Sequence, residues 1–516
     1  MKSAQGKQLL VAVSIMLATI MQVLDTTIAN VALPHMQGSL SASSTQITWV
    51  LTSYIVASAI MTLPVGYLSQ RFGRRKLFLV SVTGFTLSSM LCGQSSSLEQ
   101  MIFWRIAQGV FGASLAPLSQ ATLLDTFPRE KHAAAMSAWG MGIMLGPILG
   151  PTLGGLLTEY YSWRWVFYIN VPIGILSLLG IYLYVPDNTR QQKRFDLRGF
   201  ALLALAVGAL QMLLDRGEQL HWLDSLEIQF YGIGAALALY LFAVHNLTSD
   251  QRFLSPGLLQ DRNYLSGTVF IFVISIVVLA TMALLPNYLQ QWKGYPVATA
   301  GMVLAPRGMG TMVSMWLAGR LINHMDPRIL VAIGIGLVSL SLHQMSSFTL
   351  QVSEHDIINT GILQGLGLGL LFVPVSFLAY TTLPQTLRDE GASLFSLARN
   401  LGSSVGVSLV MATLTRNMWI NQQELAGRMQ VSPELLATLS AGPELLGLPA
   451  AITNELARGA AEISYVNNFY LLMWISLATL PLVLLLAKPQ SAAPSPPAAG
   501  NRGAAPHEEF DHARSG

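Results

Sequence analysis

The feature that most constrains this chain is its series of long apolar stretches, each roughly 17 to 25 residues long. At 1.5 Å of rise per helical residue, such a stretch crosses a hydrocarbon core of about 30 Å. Only 11% of the residues are charged, against about 25% in an ordinary soluble domain. The stretches therefore predict a membrane protein rather than a water-soluble fold, with helices as the spanning elements.

We predict an all-α membrane protein with fourteen spans. The first stretch follows the basic residues Lys2 and Lys7, but it is too long for a secretory signal and lacks a small-residue cleavage site, so it is expected to be retained. The predicted spans lie near residues 9–33, 46–68, 77–96, 98–123, 133–157, 166–185, 199–215, 229–246, 265–287, 297–321, 329–349, 357–382, 392–414 and 466–487.

The basic residues predict the orientation of the chain. With both termini in the cytoplasm, the inner segments hold 19 of the 29 Lys and Arg residues, whereas the outer segments hold 6. An excess of Lys and Arg on the cytoplasmic side is the usual determinant of topology. The richest inner loops are residues 69–76 and 186–198, with four basic residues each.

The chain repeats itself at an offset of 252 to 256 residues, which predicts two related halves. The first half is a six-helix bundle over 9–185, the second is a six-helix bundle over 265–487, and 199–246 is an inserted helix pair. The matched positions are Pro34 with Pro286, Gly66 with Gly319, Arg75 with Arg328, Gln108 with Gln364, and Leu145-Gly146 and Gly150 with Leu401-Gly402 and Gly406.

Two segments depart from the spanning pattern. Residues 488–516 are rich in Pro, Ala, Gly and Ser, and are expected to form a disordered cytoplasmic tail. Residues 415–465 form a long outer loop whose mixture of apolar and charged residues suggests short amphipathic helices on the protein or the membrane.

Five stretches of the chain resemble one transporter family. The chain reads Gly66-Tyr-Leu-Ser-Gln70-Arg71-Phe-Gly73-Arg74-Arg75-Lys76 after span 2, and Arg105-Ile-Ala-Gln108-Gly109 in span 4. Span 5 carries Gly142, Gly146, Gly150, Gly154 and Gly155 with Pro147 and Pro151. With Leu24-Asp25 to Pro34 and Trp163 to Pro172, these resemble the major facilitator superfamily, specifically its fourteen-span drug:proton antiporters of the EmrB and QacA type.

The resemblance implies roles for two of these motifs. In the family, the loop after span 2 gates the motion by contacting neighbouring helix ends, and span 5 carries the antiporter signature. The family usually has an Asp where this chain has Gln70, so the gate is expected to use hydrogen bonds and the cations of Arg71, Arg74 and Arg75. Topology anchoring by the loop, and tight helix packing by the glycines, are simpler alternatives.

Charged residues inside spans identify candidate site residues, because each costs about 2.5 to 3.5 kcal/mol to insert. Asp25 and Arg105 lie at matching depths in spans 1 and 4. An Asp held in low dielectric beside a cation can take up and release a proton, so these two residues are predicted to couple transport to protons. The alternative is a buried ion pair that only locks two helices.

The predicted substrate cavity between the halves is lined by Asn30, Gln108, Arg307, Gln364 and Arg399. The two arginines either bond backbone carbonyls freed by nearby Pro and Gly, or face the cavity and favour anionic or amphiphilic substrates. No catalytic residue, metal site or cofactor is predicted, because the sequence contains no Walker-type loop and Cys92 is its single cysteine. No nucleic-acid partner is expected.

The sequence therefore predicts a multi-pass transporter in the bacterial inner membrane that exports lipophilic or amphiphilic compounds in exchange for protons. A periplasmic adaptor and an outer-membrane channel are partners implied only by the EmrB resemblance. The main alternative is a proton symporter that imports a nutrient on the same fold; a membrane sensor without transport is a second.

Overall fold

The computed structural model describes residues 2–186, 195–250, 252–428 and 450–486, and these residues form helices joined by short turns. The first half contains eight helices of eight residues or more, two pairs of which form interrupted spans. They are α1 (Lys2–Ser39), α2 (Trp49–Thr62), α3 (Val65–Phe72), α4 (Arg74–Gln94), α5 (Leu98–Gly112), α6 (Leu115–Thr126), α7 (His132–Tyr160) and α8 (Asn170–Tyr184). Between α2 and α3 the chain bends by 57° at Leu63 and Pro64, where proline cannot donate a helix hydrogen bond.

The rest of the described chain forms eight further helices of at least that length. The inserted pair is α9 (Leu197–Arg216) and α10 (Leu226–Thr248). The second half consists of α11 (Arg262–Asn287), α12 (Val297–Leu321), α13 (Pro327–Met345), α14 (Glu354–Thr381), α15 (Arg388–Arg428) and α16 (Ala450–Leu477).

The helix content confirms an all-α membrane protein. Within the described residues, twelve helices are long and apolar enough to cross a bilayer, and thirteen if the bent pair α2–α3 is one span. The remaining predicted span, 297–321, corresponds to α12, whose 25 residues are long enough but less apolar, since they include Arg307 and Arg320. This arrangement is compatible with fourteen spans.

The structure differs from the prediction for residues 415–465. The predicted loop begins inside a helix, because α15 continues without a break for 41 residues to Arg428. On the other side, α16 already begins at Ala450. The reason is local: between Gly406 and Gly427 there is neither a proline nor a glycine to end the helix. The middle of this segment, 429–449, and the predicted tail, 488–516, lie outside the described residues.

Glycines allow equivalent helix pairs to approach closely in both halves. In the first half, a Cβ at Gly146 or Gly150 would lie 2.6 Å from Val23 or 2.2 Å from Thr27 of α1. In the second half, the repeat partner Gly402 of α15 sits in the same way against the backbone of α11. Helix backbones that meet through glycines gain dispersion contacts that larger side chains would prevent.

The inserted pair touches both halves. Asp215 of α9 accepts a hydrogen bond from Thr52 of α2. One turn earlier on the same helix, Gln211 donates to the Ser404 hydroxyl of α15 at 2.7 Å. Both partners belong to helices that line the space between the halves, so the inserted pair closes one side of that space.

Candidate functional site

A fully buried polar cluster lies inside the first half. Arg105 Nη1 of α5 donates to Asp25 Oδ2 of α1 at 2.7 Å and to Gln108 Oε1 at 2.7 Å. Asp25 Oδ1 accepts from Gln108 Nε2 at 2.9 Å and from Asn170 Nδ2 of α8 at 2.8 Å, while the same Asn170 group also donates to Ser89 of α4. The cluster therefore joins four helices around one carboxylate.

The neighbours of Arg105 fix its position. Its Nε donates to the Val50 carbonyl of α2 at 2.9 Å, and its guanidinium carbon lies 4.3 Å from the centre of the Tyr54 ring. Asp25 and Arg105 are both 0% exposed. Removing either partner would leave a buried charge without compensation, which costs about 3–5 kcal/mol. The pair therefore holds α1 and α5 together.

A cavity of about 320 Å³ lies between the two halves, next to this cluster. Tyr54 belongs to both, because its ring lines the cavity and covers Arg105. Most of the wall is apolar and rich in methionine, a flexible side chain suited to varied ligands. The lining residues come from α1, α2, α7, α11, α12, α14 and α15, and include Gln22, Thr26, Met144, Pro147, Met282, Met315, Phe372 and Arg399.

Arg307 and Arg399, the two predicted cavity arginines of the second half, each line a cavity. Arg399 lines the central cavity, where it donates to Ser396 at 3.3 Å. Arg307 is 8% exposed, lines an adjoining pocket of about 120 Å³, and also donates to the Val278 carbonyl at 3.4 Å. The described residues that line these two cavities include no Asp or Glu.

Three predicted cavity residues lie elsewhere. Gln108 is fully buried in the Asp25 cluster, because its amide pairs with both charged groups. Gln364 is also fully buried and donates to Thr281 at 3.3 Å, behind the cavity wall. Asn30 is exposed on α1 and is not among the residues that line the central cavity. For these three, sequence depth alone could not indicate which way the side chain points.

The second half repeats the geometry of the cluster without its ion pair. At the 256-residue offset that relates Gln108 to Gln364, the partner of Asp25 is Thr281 and the partner of Arg105 is Gly361. Gln108 donates to Asp25 of α1, and Gln364 donates to Thr281 of α11 at the equivalent position. At the position equivalent to Asp25, the second half therefore has the hydroxyl of Thr281 instead of a carboxylate.

A second ion-pair network joins the halves at the end of the molecule that carries residues 69–76, here called the basic end. Arg74 donates to Asp125 at 2.8 Å and to Asp389 of α15 at 2.5 Å, and Arg388 donates to Asp125 at 2.5 Å. Ser69 adds a hydrogen bond to Asp389 at 2.8 Å. The carboxylates that the loop itself lacks are thus supplied by the end of α6 and the start of α15.

The other predicted gate residues have distinct positions. Gln70 donates to the Thr386 carbonyl at 3.2 Å, so it too contacts the second half. A Cβ at Gly66 would lie 2.6 Å from the Glu390 Cα, and Gly73 has a φ of 92°, which favours glycine. Arg75 stacks on Tyr182 of α8, within the first half. Arg71 is exposed.

Asp125, Asp389 and Asn170 were not predicted as site residues. Asn170 lies in the stretch from Trp163 to Pro172, so it was within reach. The two acids flank loops that the repeat relates, since Pro128 and Pro384 also stand 256 residues apart.

The residues of the span 5 motif do not share one role. Gly142, Gly146, Gly150 and Gly154 all face α1, where an added Cβ would contact its side chains. Gly155 lies on another face, where an added Cβ would meet nothing within 4 Å. Pro147 lines the central cavity, and Pro151 lies one turn further along α7. This helix therefore has one face on α1 and another on the cavity.

The chain is similar to known transporters over most of its length. The family model described as Major Facilitator Superfamily matches residues 15–407. The multidrug export protein EmrB of Escherichia coli is 35% identical over 82% of this chain and 83% of its own length. The fatty acid resistance protein FarB of Neisseria gonorrhoeae is 34% identical over 93% of this chain and 96% of its own.

A solved structure supports the same fold. The proton:xylose symporter XylE superposes with a TM-score of 0.59 at 13% identity, covering 92% of this chain and 96% of its own. The family match, the relatives and the fold agree with the predicted resemblance and with a multi-pass transporter rather than an enzyme. The chain belongs to the major facilitator superfamily, among the EmrB-like transporters.

Proposed function

We propose that this protein exports lipophilic, toxic compounds across a membrane in exchange for protons, by alternating access. The names of the relatives EmrB and FarB, an export protein and a resistance protein, support export of drugs and other lipophilic compounds. The observation that carries the coupling is the buried Asp25–Arg105 pair at 2.7 Å, because it places a titratable carboxylate beside the cavity between the halves.

A proton on Asp25 would act on the cavity through α1. Protonation removes the charge that holds Arg105, while Arg105 keeps its bonds to the Val50 carbonyl and Gln108. The link between α1 and α5 is then weaker. Because Gln22 and Thr26 on α1 line the cavity, a shift of this helix changes the cavity wall, and a bound compound that moves the helix changes access to the carboxylate.

Alternating access would use the network at the basic end. In the structure, Arg74, Arg388 and their two carboxylates hold the halves together there. Opening that end requires these pairs to separate, and closing the opposite end must supply other contacts in return. We place the basic end in the cytoplasm, because 19 of the 29 Lys and Arg residues lie on that side.

The same proposal includes an inner-membrane location and a periplasmic adaptor that continues the path to an outer-membrane channel. The support is the continuation of α15 and α16 beyond the predicted spans, where Asn421 donates to Ser464 at 2.9 Å. This pair of helices provides a surface at the end opposite to the basic end. A small-molecule substrate and protons are the other partners; no cofactor is proposed.

The direction of transport tests the proposal. In inside-out vesicles that are acidified by respiration, an exporter accumulates a fluorescent lipophilic dye, and collapse of the pH gradient releases it. A nutrient symporter on the same fold would instead lose its substrate from the lumen with protons. The XylE likeness leaves the direction open, because it concerns the fold alone. Failure to accumulate any compound from a broad toxic panel would contradict the proposal.

A further inference from the structure

The pocket of about 120 Å³ beside the central cavity lies between α7, α11 and α12. Its wall is apolar apart from Thr311 and the guanidinium of Arg307. The pocket and the central cavity are continuous, since both are lined by Met144, Pro147, Val278, Met282, Thr311 and Leu368. An elongated molecule could therefore place one end in the pocket and the other in the central cavity.

Arg307 directs an uncompensated charge into this pocket. The side chain is 8% exposed, and its one hydrogen bond among the described residues is to the Val278 carbonyl at 3.4 Å. No carboxylate within the described ranges pairs with it. A guanidinium has five N–H donors, so most of its bonding capacity is unused. A buried charge of this kind requires an anionic partner or water.

Close packing fixes Arg307 at this position. A Cβ at Gly365 of α14 would lie 2.1 Å from the Arg307 carbonyl oxygen, and a Cβ at Gly361 would lie 3.5 Å from the Arg307 Cβ. On the other side, Gly308 packs against Ile148 of α7. Gly361 holds the repeat position of Arg105, and Thr281 holds that of Asp25. The cation of the second half therefore comes from another helix and lacks the carboxylate found in the first half.

We propose that the pocket binds the acidic head group of a lipophilic anion through Arg307, with the apolar tail in the central cavity. A carboxylate can accept two parallel hydrogen bonds from one guanidinium, which a neutral head group cannot match. Arg399, the second cation of the same continuous space, adds to the positive potential. Lipophilic cations of similar size are disfavoured there. This inference rests on the proposed export function and specifies its substrate class.

Binding of three probes with the same twelve-carbon tail tests the inference. Tritiated dodecanoate is bound at neutral pH to the full chain in lipid nanodiscs, with empty discs as background, and is displaced by unlabelled dodecanoate, dodecanol or dodecyltrimethylammonium. We expect dodecanoate to bind at least tenfold more tightly than the other two. Arg307→Gln should weaken dodecanoate binding about ten- to a hundredfold, the range for a hydrogen bond to a charged group.

Two further variants separate charge from folding. Arg320→Gln removes a cation from the same helix outside the pocket, where Arg320 stacks on Trp316, and it should bind like wild type. Arg307→Lys keeps the charge and should bind between wild type and Arg307→Gln. If Arg307→Gln does not fold, the preference for dodecanoate over the other two probes in wild type, and its reduction in Arg307→Lys, still test the inference.

Equal displacement by the cationic and anionic probes would overturn the inference, as would unchanged dodecanoate binding in folded Arg307→Gln. Selective dodecanoate binding without proton-driven transport would leave the pocket in place and contradict the export function instead. Transport that does not depend on Arg307 for any head group would contradict the pocket and leave export intact.

Discussion

Two carboxylates, Asp25 and Asp389, lie in different kinds of contact in this transporter. Asp25 is enclosed within the first half, where Arg105, Gln108 and Asn170 surround it. Asp389 instead lies at the boundary between the halves, where Arg74 reaches it from the other side. In the proposed mechanism, the first carboxylate binds a proton, and the second holds the basic end closed.

Loss of the Asp389 charge should open the basic end. In Asp389→Asn, Arg74 keeps its pair with Asp125 at 2.8 Å but loses a charged partner in the second half. The open population should rise about ten- to a hundredfold, as expected for one hydrogen bond to a charged group. Spin labels at the exposed positions 71 and 385 would report this in double electron–electron resonance, as a longer distance component.

The control for that measurement is Glu390→Gln in the same labelled background. The Glu390 carboxylate accepts hydrogen bonds from Ser255, which lies just before the second half and not in the first. Removal of this charge should therefore leave the distance distribution unchanged. A distribution for Asp389→Asn that matches wild type would mean that the ion pairs do not control closure.

At the scale of helices, α15 is longer than its repeat partner α7, which has 29 residues. Helix α15 has 41 residues, about 60 Å at 1.5 Å per residue, whereas the hydrocarbon core is about 30 Å thick. Its far end packs on α16, where Thr413 bonds Asn468 at 2.6 Å and Asn421 bonds Ser464 at 2.9 Å. The helix thus spans the membrane and also extends well beyond it.

Removing this extension should separate two activities. A variant in which residues 418–463 are replaced by a Gly/Ser linker keeps the Thr413–Asn468 bond at its base. We expect its cells to lose most of their resistance, because an adaptor no longer docks, while dye accumulation in inside-out vesicles stays within about twofold of wild type. Equal loss in both assays would mean that the extension belongs to the transport core.

The sequence predicted the structure well where an apolar pattern or a charge inside a span allowed only one interpretation. The apolar stretches predicted the spans, and the matched depths of Asp25 and Arg105 anticipated a contact that the structure contains. Which face of a helix points to the cavity was not predictable for Gln108 or Gln364, because both faces are apolar enough to be buried. Asp125 and Asp389 were not predicted because they lie just outside the predicted spans. A charge there carries little free-energy cost of insertion, so its position does not indicate a function.

At the scale of the whole molecule, the halves share packing but not chemistry. Equivalent glycines in α7 and α15 bring each of these helices onto α1 or α11. The fully buried Asp25–Arg105 pair lies in the first half, and the arginines that line the two described cavities, Arg307 and Arg399, lie in the second. In this account the first half binds the proton, the second half binds the substrate, and the cavity between them couples the two events.

Proton movement in Asp25→Asn tests this account most directly. Asn has nearly the volume and hydrogen-bonding shape of Asp but cannot carry the charge. The variant and wild type are reconstituted in proteoliposomes at equal protein content, and substrate-induced proton flux is measured under an imposed pH gradient. Asp215→Asn, which alters another carboxylate in a predicted span, is the matched control. We predict that Asp25→Asn binds substrate but shows no coupled flux, while Asp215→Asn resembles wild type. Wild-type coupled flux in Asp25→Asn would contradict the account and leave Asp25 as a helix-locking partner of Arg105.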